Sequence, residues 1–526
     1  MMQRVARIPG AHRRFTMSLP CTSCYQRIPL WCSLRTTVVP HLTVMSLSQW
    51  TCTPRVFPTS GFKLLDQSIE LDEETLPTYQ PEKYYPVNQG EVLNDRYQTL
   101  AKIGYGVTST VWLAKDLIAS IYVVLKIYVT GQNRDLEREL RIYKHMNSVE
   151  TKHPGRNFIR KLLDHFYIQG PHGRHVCLVH EPLGVSADVL MKMSPGHVMT
   201  LDDMKPGIRQ LLVALDFLHS ECHIIHTDLQ LKNLLLPGPN TSYLSRFEEA
   251  EVTDPSPRKM LKDRTIYKTL GFLPRGGLPV LADFGEARLG DEEHHDDIMP
   301  NVYRAPEVIL RSSWDYKVDI WNVAMVAWDI ISPRTLINGK NENGVFDDRV
   351  HMAELVALLG PPPPEFREQR KLSSVFWDES GNWKEVVPIS DISLESLAEK
   401  VEGEDKEGFL RWLRMALQWN PKDRPTALEL LYDEWLMKGL GDTHSSKSQD
   451  TMAPISLIDR SQAAAGYHLL GKHLLEKRKK NWAHANPGVV LVFCIVFLVA
   501  VGIAALFGYR KWLKRKANKE SYETTE

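Results

Sequence analysis

The sequence predicts an α+β protein with two lobes, a small β-rich N-lobe and a larger helical C-lobe, followed by a single C-terminal transmembrane helix. Three observations predict this fold class. Strand-like runs fill the first third of residues 97–436, apolar residues at helical spacing fill the remainder, and residues 488–509 carry no charge. With 526 residues, of which 43% are hydrophobic, the chain can bury a sizeable core and is neither a low-complexity nor a disulfide-stapled protein.

Charge divides the chain into segments. Residues 1–65 contain eight Lys or Arg and no acid, a composition typical of a mitochondrial transit peptide or a disordered tail. Residues 66–96 are expected to be an N-terminal extension of the globular body. The whole chain is neutral, but residues 472–526 carry +7, so residues 66–471 carry −15. Such an acidic body disfavours direct binding of nucleic acid.

The C-terminal part is predicted to lie at a membrane. Residues 437–487 have the composition of a linker with a basic juxtamembrane segment, and residues 488–509 would form a helix of about 33 Å, enough to cross a hydrocarbon core of about 30 Å. Residues 510–526 form a short basic tail, and Lys and Arg flank both ends of the span, so the positive-inside rule does not fix its orientation. A fused gene product, in which residues after about 452 belong to another protein, is an alternative.

Within residues 97–436 the runs VWLAKD, IYVVLKIYV, KLLDHFYI and HVCLVHEPL predict strands, and residues 134–146 predict a helix between them. The runs DMKPGIRQLLVALDFLHSE and GFLRWLRMALQW predict helices of the C-lobe. Gly104 and Gly106 lie between the first two strands, where glycines let the backbone fold closely over phosphates. Taken alone, such a pair of glycines is also a common turn.

Five further features follow these glycines in a fixed order. They are Lys126 at the end of a strand, Glu139 on the next helix, His226-Thr227-Asp228 with Asn233 five residues later, Asp283-Phe284-Gly285, and Ala305-Pro306-Glu307. Their order and spacing resemble the signature of protein kinases, and the resemblance covers residues 97–436. It implies the bilobal protein-kinase fold, with ATP and Mg²⁺ as cofactors.

The resemblance also implies the roles of individual residues. Lys126 would pair with the ATP phosphates and be held by Glu139, with Glu137 as the alternative because one sequence does not fix the phase of the helix. Asp228 would accept the proton of the substrate hydroxyl. The magnesium ligands would be Asn233 and Asp283. The other residues implied in ATP binding are Ile103, Gly104, Gly106, Ser109, Val111, and, in the hinge after the last strand, Glu181 and Leu183.

Two structural roles are carried over in the same way. Glu307 would form a buried ion pair with Arg424, and Asp319 would accept backbone hydrogen bonds from the catalytic loop. Because the base, the lysine and both cation ligands are intact, an active enzyme is favoured.

Departures from the common pattern narrow the family. Thr227 replaces the arginine that normally docks a phosphorylated activation loop, and residues 286–302 contain no Ser, Thr or Tyr. Together with the hinge HEPLG and the long stretch between Asn233 and Asp283, this pattern is similar to serine/arginine-rich-protein-specific kinases of fungal type. The resemblance implies transfer to Ser, or less readily Thr, of Arg/Ser-rich proteins without activation-loop phosphorylation. Five acids of the segment would supply fixed charge instead: Asp291, Glu292, Glu293, Asp296 and Asp297.

One departure from the family pattern argues against full catalytic activity. Where the family has a lysine that reaches the γ-phosphate, this chain has Gln230, and Lys232 is expected to point elsewhere. Loss of such a contact costs roughly 2.7–4 kcal/mol, about a hundredfold in rate. The alternative function is therefore a membrane-anchored pseudokinase scaffold that binds nucleotide.

The expected location follows from these segments. A single-pass membrane protein would hold the kinase domain in the cytosol, or in the mitochondrial matrix if residues 1–65 are a transit peptide. A fused gene product would place the kinase in the nucleus or cytoplasm. The expected partners are a protein substrate and the membrane, and the sequence leaves the oligomeric state open.

Overall fold

The structure is a computed structural model, and it describes residues 50–131, 137–272, 276–368, 370 and 372–438. The predicted transmembrane helix at 488–509 and most of the predicted transit segment lie outside these ranges. Among the residues described, no helix is both long and apolar enough to cross a membrane.

The N-lobe is a six-stranded antiparallel sheet in the order β1-β2-β3-β4-β6-β5. β4 is a nearly continuous run of apolar residues, and it is buried along almost its whole length. Such a run is expected for a strand that is covered on both faces of the sheet. Val123, Leu125 and Ile127 share one face, and Lys126 points to the other. The strands are β1 (Val92–Leu93), β2 (Tyr97–Tyr105), β3 (Ser109–Asp116), β4 (Ile121–Tyr128), β5 (Leu162–Gly170) and β6 (Gly173–His180).

Helix α1 (Arg138–Ser148) follows β4, as predicted, although residues 132–136 lie outside the described residues. Its buried side chains join the core of the C-lobe, so α1 connects the sheet with the helices.

The C-lobe is built around α6 (Lys317–Ile331), which is buried on all sides and therefore reads as apolar almost throughout. α3 (Leu201–Asp216) packs against α6 and begins at Thr200, whose hydroxyl accepts the Asp203 N–H. The other helices are α2 (Ala187–Met193), α4 (Thr241–Thr253), α5 (Pro306–Ile309), α7 (Asp348–Leu359), α8 (Pro364–Glu368), α9 (Ser373–Phe376), α10 (Leu394–Leu397), α11 (Lys406–Ala416), α12 (Ala427–Leu431) and α13 (Glu434–Met437).

Three two-stranded ribbons lie outside the N-lobe sheet, two in loops of the C-lobe and one, β9 with β10, in an insertion described below. They pair β7 (Ile224–Ile225) with β12 (Arg288–Leu289), β8 (Leu234–Leu235) with β11 (Val280–Leu281), and β9 (Arg258–Met260) with β10 (Thr265–Tyr267). Because β8 and β11 are antiparallel, the residue before β8 and the residues after β11 meet at the same end of the ribbon.

An insertion between β8 and β11, residues 236–279, leaves the C-lobe and packs on the N-lobe. Leu244 of α4 and Phe272 form a cluster with Leu100 and Leu113 of the sheet. The Tyr122 hydroxyl donates to Glu248 Oε2 at 2.5 Å. The insertion therefore contacts both lobes.

The N-terminal extension also packs on the N-lobe, and it begins before residue 66. Thr51 N–H donates to Leu117 O at 2.9 Å, and Phe57 is buried. Further along, the buried Lys102 pairs with Glu73. The segment boundary drawn from charge at residue 65 therefore does not coincide with a boundary in the structure.

Candidate active site

Lys126 lies at the centre of the site, between two carboxylates. Its Nζ atom is 2.7 Å from Glu139 Oε2 and 3.0 Å from Asp283 Oδ1. Burial alone would lower the pKa of Lys126, but these two acids raise it well above its ordinary value. The positive charge of Lys126 lowers the pKa of Asp283 to about 2. Lys126 and Asp283 are therefore both ionised at neutral pH.

The structure selects Glu139 rather than Glu137 as the partner of Lys126. The Glu139 side chain is 2% exposed and also accepts a hydrogen bond from the Tyr128 hydroxyl. Glu137 lies at the N-terminus of α1 and is half exposed, and its carboxylate is 3.4 Å from Arg174. The two acids are two residues apart and point to different sides of the helix.

The catalytic loop is held by Asp319 of α6. Its two carboxylate oxygens accept the N–H groups of His226 at 2.8 Å and Thr227 at 2.9 Å, as the kinase resemblance implies. Thr227 has φ +65°, a strained conformation for a β-branched residue that costs on the order of 1–3 kcal/mol. The hydrogen bonds that the loop N–H groups donate to Asp319 keep the loop in this conformation.

Asp228, the expected base, is oriented by three neighbours. Gln230 Nε2 donates to one carboxylate oxygen, and Asn233 Nδ2 donates to the other at 2.8 Å. Lys232 Nζ lies 3.7 Å from Asp228 Oδ2, so this side chain stays beside the expected base. The reason is a tight turn at Leu231–Asn233, which carries Lys232 back over Asp228.

Asn233 and Asp283 have the chemistry of a magnesium site. Asn233 uses its amide nitrogen on Asp228, which leaves the side-chain oxygen as a ligand, and Asp283 is a fully ionised carboxylate. The N–H of Ala282 donates to Asn233 O at 2.9 Å, so the two residues are adjacent at the end of the β8/β11 ribbon. Within the described ranges, no three His, Cys, Asp or Glu side chains lie together where they could hold a metal. A Mg²⁺ ion held by Asn233 and Asp283 would take its other ligands from ATP phosphates and water.

The glycine-rich turn between β2 and β3 lies where the sequence predicts it. Gly106 N–H donates to Ser109 O at 2.8 Å and closes the turn. A side chain on Gly104 would come within 3.3 Å of Val111 Cβ, so this glycine allows the strands to approach closely. Val111 is the register partner of Lys126 and lies on the same face of the sheet, while the partly buried Ile103 packs against the Leu244 cluster.

The hinge residues Glu181 and Leu183 lie between β6 and α2 and are partly buried. Next to them, Gly184 N–H donates to Leu236 O at 2.8 Å. A side chain on Gly238 would lie 1.9 Å from Pro182 O, so the start of the insertion packs directly on the hinge backbone.

Two contacts at the site could not be found from sequence motifs. The Tyr84 hydroxyl of the N-terminal extension donates to Gly106 O at 3.0 Å, which fixes the glycine-rich turn from outside. Arg138 of α1 donates to Glu286 Oε2 at 2.7 Å and so joins α1 to the segment after Asp283. The two contacts join residues 22 and 148 positions apart, and each involves at least one residue outside the motifs quoted above.

The segment from residue 286 to 307 is held by protein contacts. Thr227 Oγ1 donates to Glu286 O at 2.7 Å, and Arg288 Nη2 is 2.6 Å from Asp296 Oδ2. Arg304 reaches Asp297 at 3.2 Å. Asp296 and Asp297 therefore pair with arginines of the same segment, and all five acids of the segment are exposed.

The end of this segment is anchored by the predicted pair of Glu307 and Arg424. Both side chains are 0% exposed, and two parallel hydrogen bonds of 2.7 Å join them.

Inside the site, the ring of Phe284 lies between the rings of Tyr143 and His226, at centroid distances of 5.3 and 5.1 Å. This packing keeps Asp283 directed toward Lys126.

These residues together can position a phosphoryl group and a hydroxyl. Lys126 provides a fixed positive charge for phosphate oxygens, and Asp228, held at both oxygens, can orient a hydroxyl and take its proton. The paired Lys126–Glu139 contact and the inward Asp283 are the two conditions for an active kinase site.

Comparison with known proteins agrees with this geometry. The model of the protein kinase domain matches residues 97–436. A serine/threonine protein kinase of Aspergillus fumigatus is 41% identical over 389 residues, which cover 73% of this chain and 95% of that protein. The serine/threonine-protein kinase SRPK of Physarum polycephalum is 30% identical over 389 residues, 69% of this chain and 91% of that protein. SRSF protein kinase 3 of Homo sapiens is 23% identical over 516 residues, which cover 70% of this chain and 91% of that protein.

The resemblance drawn from the motifs is thereby confirmed, and so is the assignment of the activity to a protein serine/threonine kinase using ATP and Mg²⁺. The chain belongs to the protein kinase family and, within it, to the SRPK family of serine/threonine kinases.

Proposed function

We propose that this kinase transfers the γ-phosphate of ATP to serine, and less readily to threonine, in basic Arg/Ser-rich proteins, and needs no phosphate on its own activation segment. The observation that carries the proposal is the set of protein contacts that hold residues 286–307. Thr227 binds Glu286 of this segment, and Arg288 pairs with Asp296 inside it, where other kinases use a phosphate and an arginine.

Charge supports a basic substrate. Residues 66–471 carry −15, and Asp291, Glu292 and Glu293 are exposed on the segment beside the site. A negative surface attracts and orients a positively charged peptide. One relative is named an SRSF protein kinase, which is consistent with this substrate class.

The residues of the site would act in a simple sequence. Lys126 holds the phosphates of ATP, and Asp228 orients the serine hydroxyl and accepts its proton as the oxygen attacks the γ-phosphorus. Magnesium ions bound by Asn233 and Asp283 would neutralise charge on the phosphates.

The test is phosphate transfer by the full chain, produced in a bacterial host without upstream kinases. Radiolabelled ATP and an Arg-Ser repeat peptide are compared with a Glu-Ser repeat peptide of the same length. We expect transfer to the basic peptide only, and a loss on the order of a hundredfold or more in Asp228→Asn, which keeps the shape of the side chain.

A second candidate, favoured by Gln230, is a membrane-anchored pseudokinase scaffold that binds nucleotide. Wild-type protein that binds a fluorescent nucleotide but transfers no phosphate would favour this scaffold and contradict the proposed activity. Equal transfer to both peptides would contradict the proposed substrate class while leaving the kinase activity in place.

We also propose that residues 488–509 anchor the kinase domain to a membrane, with the domain on the cytosolic side. The support is the 22-residue uncharged run with basic flanks. Alkaline extraction of membranes compares the full chain with a chain that ends at residue 471. We expect only the full chain in the membrane pellet, and its recovery in the supernatant would contradict the anchor. Protease protection of the kinase domain inside mitochondria would instead indicate the matrix.

A further inference from the structure

The surroundings of Asp228 contain a cation that the motif alone does not predict. Lys232 Nζ lies 3.7 Å from Asp228 Oδ2, and its side chain is 56% exposed. Gln230 contacts the other oxygen of the same carboxylate. The two residues therefore flank the base from both sides.

The local backbone explains why Lys232 reaches this position. Asn233 N–H donates to Gln230 O at 3.0 Å and closes a turn over Leu231–Asn233. Leu231 and Asn233 are buried on either side of Lys232, so the turn is fixed while the lysine side chain extends outward. A long, flexible side chain on a fixed turn can swing between Asp228 and a neighbouring phosphate.

The chemistry of the reaction requires such a charge. A kinase with an uncharged amide at position 230 lacks one cation near the transferred group, and this loss alone is worth about a hundredfold in rate. With Asp228, Lys126 and the two cation ligands intact, efficient transfer still requires another cation in place of the lysine that is missing at position 230.

We propose that Lys232 replaces the missing lysine at position 230 and stabilises the transferred phosphoryl group, an inference that rests on the proposed kinase function. The serine oxygen forms a bond to the γ-phosphorus while the bond to the bridging oxygen of ATP breaks, and ADP leaves with its electron pair. The hydroxyl proton passes to Asp228. Lys232 offsets the negative charge of the γ-phosphoryl oxygens during this step.

Gln230 has a different role in this arrangement. Its amide donates to Asp228 but cannot neutralise charge, so it orients the base and leaves the electrostatic contribution to Lys232. The pair divides between two side chains what one lysine does elsewhere in the family.

The experiment measures kcat and KM for ATP with an Arg-Ser peptide, using the full chain. The variants are Lys232→Met, Lys232→Gln, Gln230→Lys, the double variant Gln230→Lys/Lys232→Met, and the control Lys438→Met. Lys438 is 57% exposed and pairs with Asp405 far from the site, so it matches Lys232 in exposure and in having an acidic partner. Thermal unfolding and fluorescent-nucleotide binding are measured for every variant.

We expect Lys232→Met and Lys232→Gln to lower kcat on the order of a hundredfold with unchanged thermal unfolding. The double variant Gln230→Lys/Lys232→Met should recover most of the rate that Lys232→Met loses, because a lysine at position 230 supplies the charge. Gln230→Lys is its reference, since this substitution also exchanges the amide that contacts Asp228. Recovery by a lysine at another position separates a need for charge from a structural role of Lys232.

Three results would overturn the inference. Lys232→Met could behave like Lys438→Met, the double variant could stay as slow as Lys232→Met, or Gln230→Lys alone could accelerate the enzyme about a hundredfold. In each case wild-type transfer would still support the proposed function. A wild-type protein that binds nucleotide but transfers nothing would overturn both, because Lys232 would then not replace the missing charge.

Discussion

At the scale of single residues, the site depends on one buried ammonium shared by two carboxylates. Glu139 positions Lys126, and Lys126 in turn keeps Asp283 ionised. Removing one partner of a buried ion pair leaves the other charge uncompensated, which costs far more than removing an exposed pair.

This contrast gives a prediction with a matched control. Glu139→Gln should lower the free energy of unfolding by roughly 3 kcal/mol and reduce kcat/KM for ATP at least tenfold. Glu137→Gln, two residues away and half exposed, should change the unfolding free energy by less than about 0.5 kcal/mol. Chemical denaturation and steady-state kinetics measure both, and equal effects of the two substitutions would contradict the assignment.

Asp329 of α6 is expected to make the free energy of unfolding depend on pH. Burial raises the pKa of Asp329 to about 6, and its carboxylate accepts a hydrogen bond from the Tyr303 hydroxyl. Because the folded pKa lies above the unfolded value of about 3.9, the folded state keeps a proton that the unfolded state has lost. The stabilisation present below about pH 4 is therefore lost as pH rises to about 6.

We predict that Asp329→Asn flattens this part of the stability curve. The wild-type unfolding free energy should contain a fall of about 2–3 kcal/mol between pH 4 and 6 that the variant lacks, since the amide does not titrate. Urea denaturation across this range measures the difference. Parallel curves for the two proteins would show that Asp329 does not titrate there.

At the scale of elements, the activation segment, residues 286–307, is held in place by a hydrogen bond from the catalytic loop and by ion pairs between its own residues. Thr227 donates to Glu286 O, while Arg288 and Arg304 bind acids of the segment. The contact from Thr227 is the one that touches the catalytic loop itself.

Thr227→Val should therefore lower kcat about tenfold, because it removes the hydrogen bond that ties Glu286 O to the catalytic loop and leaves this carbonyl only the Arg288 donor of its own segment, while keeping the size and β-branching of the side chain. Thr227→Ser keeps the hydroxyl and is the control. Kinetics with the Arg-Ser peptide distinguish them, and a serine variant as slow as the valine variant would show that the hydroxyl is not the cause.

The insertion at residues 236–279 is a second element with its own prediction. Leu244 is 4% exposed where α4 meets the N-lobe sheet. Leu244→Ala should destabilise the protein by about 2–5 kcal/mol, whereas Leu428→Ala, at a leucine that is 40% exposed, should have little effect. Thermal denaturation measures both. A small loss at Leu244 would mean that α4 is not part of the folded unit of the N-lobe.

At the scale of the whole molecule, charge and contacts over long sequence distances determine behaviour. The acidic body should attract a basic substrate over a distance that salt shortens, because the Debye length falls as ionic strength rises. We predict that kcat/KM for an Arg-Ser peptide falls several-fold between about 50 and about 300 mM salt. The same change in salt should leave kcat almost constant, and an equal fall for a neutral peptide would contradict electrostatic attraction.

The same scale explains what could be predicted from the sequence. Lys126, Asp228, Asn233 and Asp283 belong to motifs with fixed spacing, so the two lobes and the centre of the site follow from the residues. The choice between Glu139 and Glu137 depends on helical phase, which one sequence does not contain.

Other features depend on contacts that no local pattern records. Lys232 reaches Asp228 only because of a tight turn. The ion pairs Lys102–Glu73 and Lys259–Glu74 join the N-terminal extension to a strand and to the insertion. The lack of acidic residues before Asp66 is a feature of composition and does not mark a structural boundary. Residues 50–65 pack on the N-lobe through the burial of Phe57 and through hydrogen bonds.

The insertion joins the lobes a second time, besides the hinge, and this has a consequence for inhibitors. The insertion contacts the hinge and the C-lobe at its two ends, where Gly184 N–H donates to Leu236 O at 2.8 Å and Gln210 Nε2 donates to Pro279 O at 2.8 Å, while α4 is held on the N-lobe sheet by the Tyr122–Glu248 hydrogen bond. Opening the cleft widely would strain the chain between these contacts. Compounds that fit a closed cleft should therefore bind better than compounds that require the lobes to swing apart.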